Sequence, residues 1–167
     1  MKTAVIGIFK IITLSIFTFS SVVVFGQTNY EKFNELFKNG QEQTDIIKAI
    51  IDSTLKMDSG LNTKDYWIDF SKINYFDSQS IEEFLAQHTK FTKINSDSLL
   101  ANDPIWKEYG YLQKMLIIFR KVETDKNLIK IEIEKIIATD GANGVEIIMK
   151  KEGRNYRIIS SKITWIS

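Results

Sequence analysis

The 167-residue sequence contains no cysteine, one proline and one histidine. Without thiols the chain has no disulfides, no thiolate nucleophile, no lipoprotein-type lipid attachment and no cysteine-rich zinc frame. The lone histidine, His88, cannot by itself assemble a zinc site or form a catalytic histidine pair. No serine stands in a Gly-x-Ser-x-Gly elbow and no Gly-rich phosphate loop occurs, so nucleophilic-serine and nucleotide chemistry have no support. Repeats, low-complexity tracts and Pro-rich linkers are lacking too. An excess of one charge is also missing, with 22 Lys and Arg against 21 Asp and Glu. That balance favours neither nucleic acid nor an anionic membrane surface.

What is present begins with a targeting pattern. Residues 1–26 carry Lys2 and Lys10, then an uncharged apolar run over residues 11–25, then Val24-Phe25-Gly26 before Gln27. The run is shorter than the roughly 20 residues that cross a bilayer, so the stretch reads as a cleaved secretory signal with no membrane anchor left behind. Export to the periplasm or outside the cell is expected. Residues 27–167 are then one domain by size, with 20 basic against 21 acidic residues.

The last third organises the rest. Ile129, Ile131 and Ile133 alternate with Lys130, Glu132 and Glu134, the period of a strand with one dry and one wet face. Asp140-Gly141-Ala142-Asn143-Gly144 reads as a break tolerant of positive φ, and Val145, Ile147 and Met149 resume the alternation. Glu152-Gly153 reads as a tight turn into a final strand, whose adjacent Ile158 and Ile159 and Ser160-Ser161 predict a bulge. Upstream, the apolar run over residues 115–119 fits a long central strand buried on both faces. Short links between these strands predict an antiparallel meander.

The middle of the chain reads as helices around one crossing strand. Tyr30, Phe33, Leu36 and Phe37 share a helix face, with Asn39-Gly40 as its stop or a kink. Thr44 or Asp45 can cap a second helix carrying Ile46, Ile47, Ile50, Ile51 and Leu55. Residues 65–76 read as the crossing strand, and Ser80-Ile81-Glu82-Glu83 as a capping box opening a short helix with Phe84, Leu85 and His88. Residues 93–102 are poorly patterned. Asp103-Pro104 forces a turn, after which Ile105 begins one more helical turn. The expected class is α+β: N-terminal helices packed on a curved, mainly antiparallel sheet of four to five strands.

That order of elements, with the hairpin Lys150-Lys151-Glu152-Gly153-Arg154-Asn155-Tyr156-Arg157-Ile158, resembles the nuclear transport factor 2-like, cystatin-like superfamily. The resemblance implies a cone of helices inside a bent sheet. It transfers no function, because members include enzymes, ligand carriers and assembly modules. The acid–base pairs of its enzymes have no clear counterpart here.

Chemistry-bearing candidates are few. Glu82 with Glu83, or Asp65 with Asp69, could supply a carboxylate pair, although catalytic pairs need burial to shift a pKa. Asp58, Gly60 and Asn62 hint at a calcium loop, but Thr63 stands where the tight-turn glycine belongs and Asp69 where the closing glutamate belongs. No metal or cofactor is called for. Tyr66, Trp67, Phe70, Trp106 and Tyr109, with His88, are the candidate lining of a ligand pocket, since aromatic rings often line the cavity between a curved sheet and its helices. Core packing is the competing reading. Two function classes stay open. One is an exported non-catalytic protein binding a small apolar ligand or a partner protein, with an envelope immunity protein as a narrower version. The other is a small hydrolase or isomerase using a buried carboxylate or His88.

Overall fold

The computed structural model describes residues 31, 33, 40–57, 65–153 and 155–167. The expected signal over residues 1–26, most of the first helix and the Asp58–Gly60–Asn62 loop lie outside them. In chain order the described elements are α1 (Gly40–Lys56), β1 (Tyr66–Asp69), α2 (Ser78–Gln87), β2 (Phe91–Lys93), α3 (Ser96–Asn102), α4 (Pro104–Tyr109), β3 (Tyr111–Asp125), β4 (Leu128–Ala138), β5 (Gly141–Glu152) and β6 (Asn155–Ile166). The class is α+β.

The sheet has six strands in the order β2-β1-β3-β4-β5-β6, and it is mixed. The four- to five-strand expectation is corrected in both number and direction. β3 to β6 form the antiparallel meander, while β1 runs parallel to both β2 and β3. Connection length decides which. Links of two residues hold β3–β4, β4–β5 and β5–β6 antiparallel. The β1-to-β2 and β2-to-β3 connections contain helices, and such crossovers return the chain parallel. The crossing strand expected over residues 65–76 contracts to β1, and the poorly patterned stretch after residue 93 holds α3.

Two crossovers place helices on opposite faces. On one face Met115, Ile117 and Phe119 of β3 pack with Ile129, Ile131 and Ile133 of β4, Val145, Ile147 and Met149 of β5, and the isoleucines of α1. Phe33, Phe70, Phe76 and Phe119 form an aromatic cluster there, with Phe70 and Phe119 stacked at 4.7 Å and Phe33 edge-on to Phe76 at 5.4 Å. On the other face Leu112, Leu116 and Ile118 of β3 join Ile136 and Ala142 beneath Trp67, Leu99, Leu100 and Trp106. β3 is therefore buried on both faces, as its apolar run predicts. Beyond it, among the described residues, only the α1 face of the sheet carries an extended core.

Helix starts differ from the sequence reading. α1 begins at Gly40, a turn before the expected cap, and Thr44 lies inside it with its hydroxyl 3.1 Å from the Gly40 carbonyl and 3.3 Å from that of Ser80. Gly40 sits close to α2: a Cβ there would lie 3.2 Å from Ser80 Oγ, a tight contact. α2 is capped by Asp77, whose carboxylate accepts from the Ser80 N–H at 2.7 Å, so Ser80 is a buried interior residue. α4 opens at Asp103-Pro104 as expected and closes on Gly110 in the left-handed region. Gly153 has φ +66° in the β5–β6 turn as anticipated, whereas Gly141 and Gly144 lie within β5 at ordinary φ.

Candidate functional site

The six residues read as pocket lining do not converge. Along β1, side chains alternate between the faces. Tyr66 stacks on Phe91 at 5.2 Å in the α1-side core, and Phe70 belongs to the phenylalanine cluster. Trp67 and Trp106 pack at the margin of the opposite core, with Lys114 Nζ 5.9 Å from the Trp67 ring. Tyr109 is exposed beside Tyr111, their rings 6.1 Å apart. His88 is half-buried at the C-cap of α2, its ring 4.8 Å from that of Phe84. Among the described residues its Nε2 has no hydrogen-bond partner. These aromatics mostly fill cores.

The carboxylate candidates are held in structural roles. Glu82 pairs with Lys93 at 3.1 Å, and Glu83 accepts from Gln79 at 2.8 Å. Asp65 is exposed, while Asp69 is fully buried. Asp69 Oδ1 accepts from Ser71 N–H and Oδ2 from Ser96 N–H, both at 2.7 Å. Burial alone would raise its pKa, but the hydrogen bonds from Ser96 and Ser71 outweigh it and hold the carboxyl below its ordinary value. A carboxylate so engaged ties the end of β1 to the start of α3 and is closed off from solvent. Among the described residues no three of His, Asp and Glu converge as a metal centre requires.

The surface that stands out is the C-terminal edge. Among the described residues, four of the six exposed large apolar side chains, Ile159, Ile163, Trp165 and Ile166, fall within β6, at 46, 41, 43 and 76% exposure. Among the described residues β6 pairs only with β5. Its register alternates cleanly: Trp165, Lys162, Ser160 and Arg157 oppose Gly144, Glu146, Ile148 and Lys150, whereas Ile163, Ser161 and Ile158 oppose Val145, Ile147 and Met149. The first set shares the charged face, the second the α1 face. Ile159 and Thr164 are the extra residues at two register shifts.

The charged face beside this edge is an ion-pair ladder. Glu132 and Glu146 oppose each other across β4 and β5, and Lys130 bridges them at 3.2 and 2.8 Å. Its amine is pushed up to about 12 by the Glu146 hydrogen bond first and the Glu132 one second. Lys162 holds Glu146 from the other side at 2.9 Å. A cleft of about 310 Å³ lies alongside, walled by Trp165, Gly144, Thr164 and the Arg120–Glu134 ion pair. Gly144 makes room for the indole, because a Cβ at 144 would overlap Trp165. A second cleft of about 300 Å³ separates Glu42, Asp45 and Ala49 of α1 from Tyr156 of β6.

Sequence reasoning did not single out this edge, because the broken alternation of the final strand assigns no face to Ile163, Trp165 and Ile166. Only the sheet order makes them peripheral. Comparison with known protein families, curated proteins and solved structures finds no match.

Proposed function

We propose that the chain is an exported, non-catalytic binding module whose contact surface is the β6 edge rather than an internal ligand cavity. The observation that carries the reading is the concentration of exposed Ile159, Ile163, Trp165 and Ile166 on the terminal strand. Apolar residues gathered on a strand whose outer edge is unpaired among the described residues favour a protein partner, since backbone hydrogen bonds and alternate side chains recognise an added strand together. Aromatic stacking among Phe33, Phe70, Phe76 and Phe119 leaves the interior to packing, which argues against an apolar-ligand carrier. The solvent-inaccessible Asp69, held by the Ser71 and Ser96 N–H groups, and the scattered placement of His88 and the glutamates argue against an acid–base enzyme.

Kinship with the nuclear transport factor 2-like superfamily belongs to the same proposal. It is supported by α1 lying against the β4–β5 face of an antiparallel meander, while the parallel β1–β2 margin departs from the expected pattern. Export rests on the pattern over residues 1–26. Mass spectrometry of the protein from its host should find a chain starting at or near Gln27, and an intact N-terminus in the membrane fraction would overturn export.

The contact surface is tested by placing a photoreactive residue at Ile166 and, as a control, at Asn102 on α3. A discrete adduct from position 166, absent from position 102 and lost on Ile163→Lys, is the expected result. The same adduct from both positions, or none from either, would overturn the reading. So would a fatty acid that binds stoichiometrically and shifts the NMR signals of Phe70 and Phe119.

A further inference from the structure

Resting on the reading of β6 as the contact surface, we propose that its partner is a second copy of this chain, joined through an antiparallel β6–β6′ pairing centred on Ser161. The register follows from the faces. Directly opposed residues in an antiparallel pair must share a face. Centring on Ser160, with Ile159 again the extra residue, would oppose the Lys162 ammonium to the Arg157 guanidinium, two like charges, and so fails. Centring on Lys162 would oppose the two Lys162 ammonium groups. Centring on Ser161 opposes Lys162 to Ser160 of the second copy, both on the charged face, and Arg157 to Trp165, again on that face.

This register is self-complementary. Each Arg157 guanidinium reaches the exposed indole of the other copy, a favourable cation–aromatic pairing. Each Lys162 is already neutralised by Glu146 at 2.9 Å. On the α1 face Ile163 meets the half-buried Ile158 of the other copy and Ile166 meets its Tyr156, covering Ile163 and Ile166. The two bulges correspond under the symmetry. Between Arg157 and Ser160 one extra residue, Ile159, is inserted, and between Lys162 and Trp165 one extra residue, Thr164. The twofold therefore sets one bulged half against the other and keeps both outer pairs in register. The product is a continuous twelve-stranded sheet, from two copies of a six-stranded one, with no like charges opposed across the junction. A junction of two strands buries less than a standard interface, so association is weak, with a dissociation constant on the order of 10 to 100 µM.

The chain has no native thiol, so single cysteines report the register directly. Ser161→Cys places two sulfurs on the axis, with Cα atoms about 4.5 to 5.5 Å apart, inside disulfide range. Thr164→Cys places them about 20 Å apart. Under mild oxidation Ser161→Cys should give a covalent dimer at least about tenfold faster than Thr164→Cys, and sedimentation of the unmodified chain should double in mass as concentration rises. Ser161→Lys, a change at an exposed position, should abolish the mass doubling while leaving the circular dichroism spectrum unchanged. Equal crosslinking of the two cysteine variants, or a monomer at every concentration, would overturn the pairing. If the chain is monomeric while the photoadduct at Ile166 persists with another protein, the second-copy inference falls and the contact-surface reading stands. If neither a dimer nor an adduct is found, both fall.

Discussion

Asp69 holds two backbone N–H groups from two separate segments and so fastens the end of β1 to the start of α3. Replacing it with Asn puts an amide donor against one of those N–H groups inside a dry site. Asp69→Asn should therefore cost roughly 2 to 4 kcal/mol by denaturant unfolding. Because the folded pKa is depressed, the carboxylate's contribution is fully present above the ordinary value of about 3.9 and is lost as pH falls through the folded value. Wild type should lose stability on acidification from about pH 5 downward more steeply than Asp69→Asn, and equal slopes would refute the assignment. The sequence marks Asp69 as a possible half of a carboxylate pair with Asp65 and as the residue standing where a calcium loop would have its closing glutamate. Its burial was not legible, since burial on both faces of a four-residue strand leaves no alternation to read.

At the scale of elements, legibility followed length. β4 and β5 repeat an apolar residue at every second position long enough to fix their faces, and the α1 isoleucines do the same at helical spacing. β1 and β2 are four and three residues long and owe their existence to the helices that return the chain beside β3. Neither period can emerge from so few positions. The start of α2 was read a turn late because Ser80 and Glu83 match a capping box, whereas Asp77 supplies the cap. Asp77→Ala should accordingly destabilise by about 1 to 2 kcal/mol, while a cap at Ser80 would leave the change within about 0.5. Chemical denaturation of Asp77→Ala separates these outcomes. The β5–β6 hairpin gives a further check at alkaline pH. Burial first, and the nearby charge of Glu42 second, raise the Tyr156 phenol well above its ordinary value. Stability is then full below about pH 10 and falls as pH rises from there towards the folded value, because the unfolded chain releases that proton more readily. Tyr156→Phe should flatten the alkaline limb of the stability curve, and an unchanged limb would exclude Tyr156 as its source.

For the whole molecule, the sheet changes from three layers to two along its width. Around β1 and β3, helices cover both faces; across β4, β5 and β6 only the α1 face has an extended core, and the other face carries Lys130, Glu132, Glu146 and Lys162. The long apolar run in β3 announced the double burial, but the sequence could not reveal which elements supply the second cover, because α3 and α4 are short and weakly patterned. That asymmetry makes the cost of a substitution depend on the strand. Leu116 and Ile117 are neighbours in β3, face opposite cores and are both fully buried. Each should cost about 2 to 5 kcal/mol as Ala, since each deletion leaves a cavity under packed neighbours. One strand away the symmetry disappears. Ile133→Ala should cost the same 2 to 5 kcal/mol, while Glu132→Ala stays within about 0.5, its side chain lying on the solvated ladder. Urea unfolding of the four variants measures both ratios. A cheap Leu116→Ala would mean that α3 and α4 do not seal the second face, and an expensive Glu132→Ala would mean that the charged face is covered by something heavier than water.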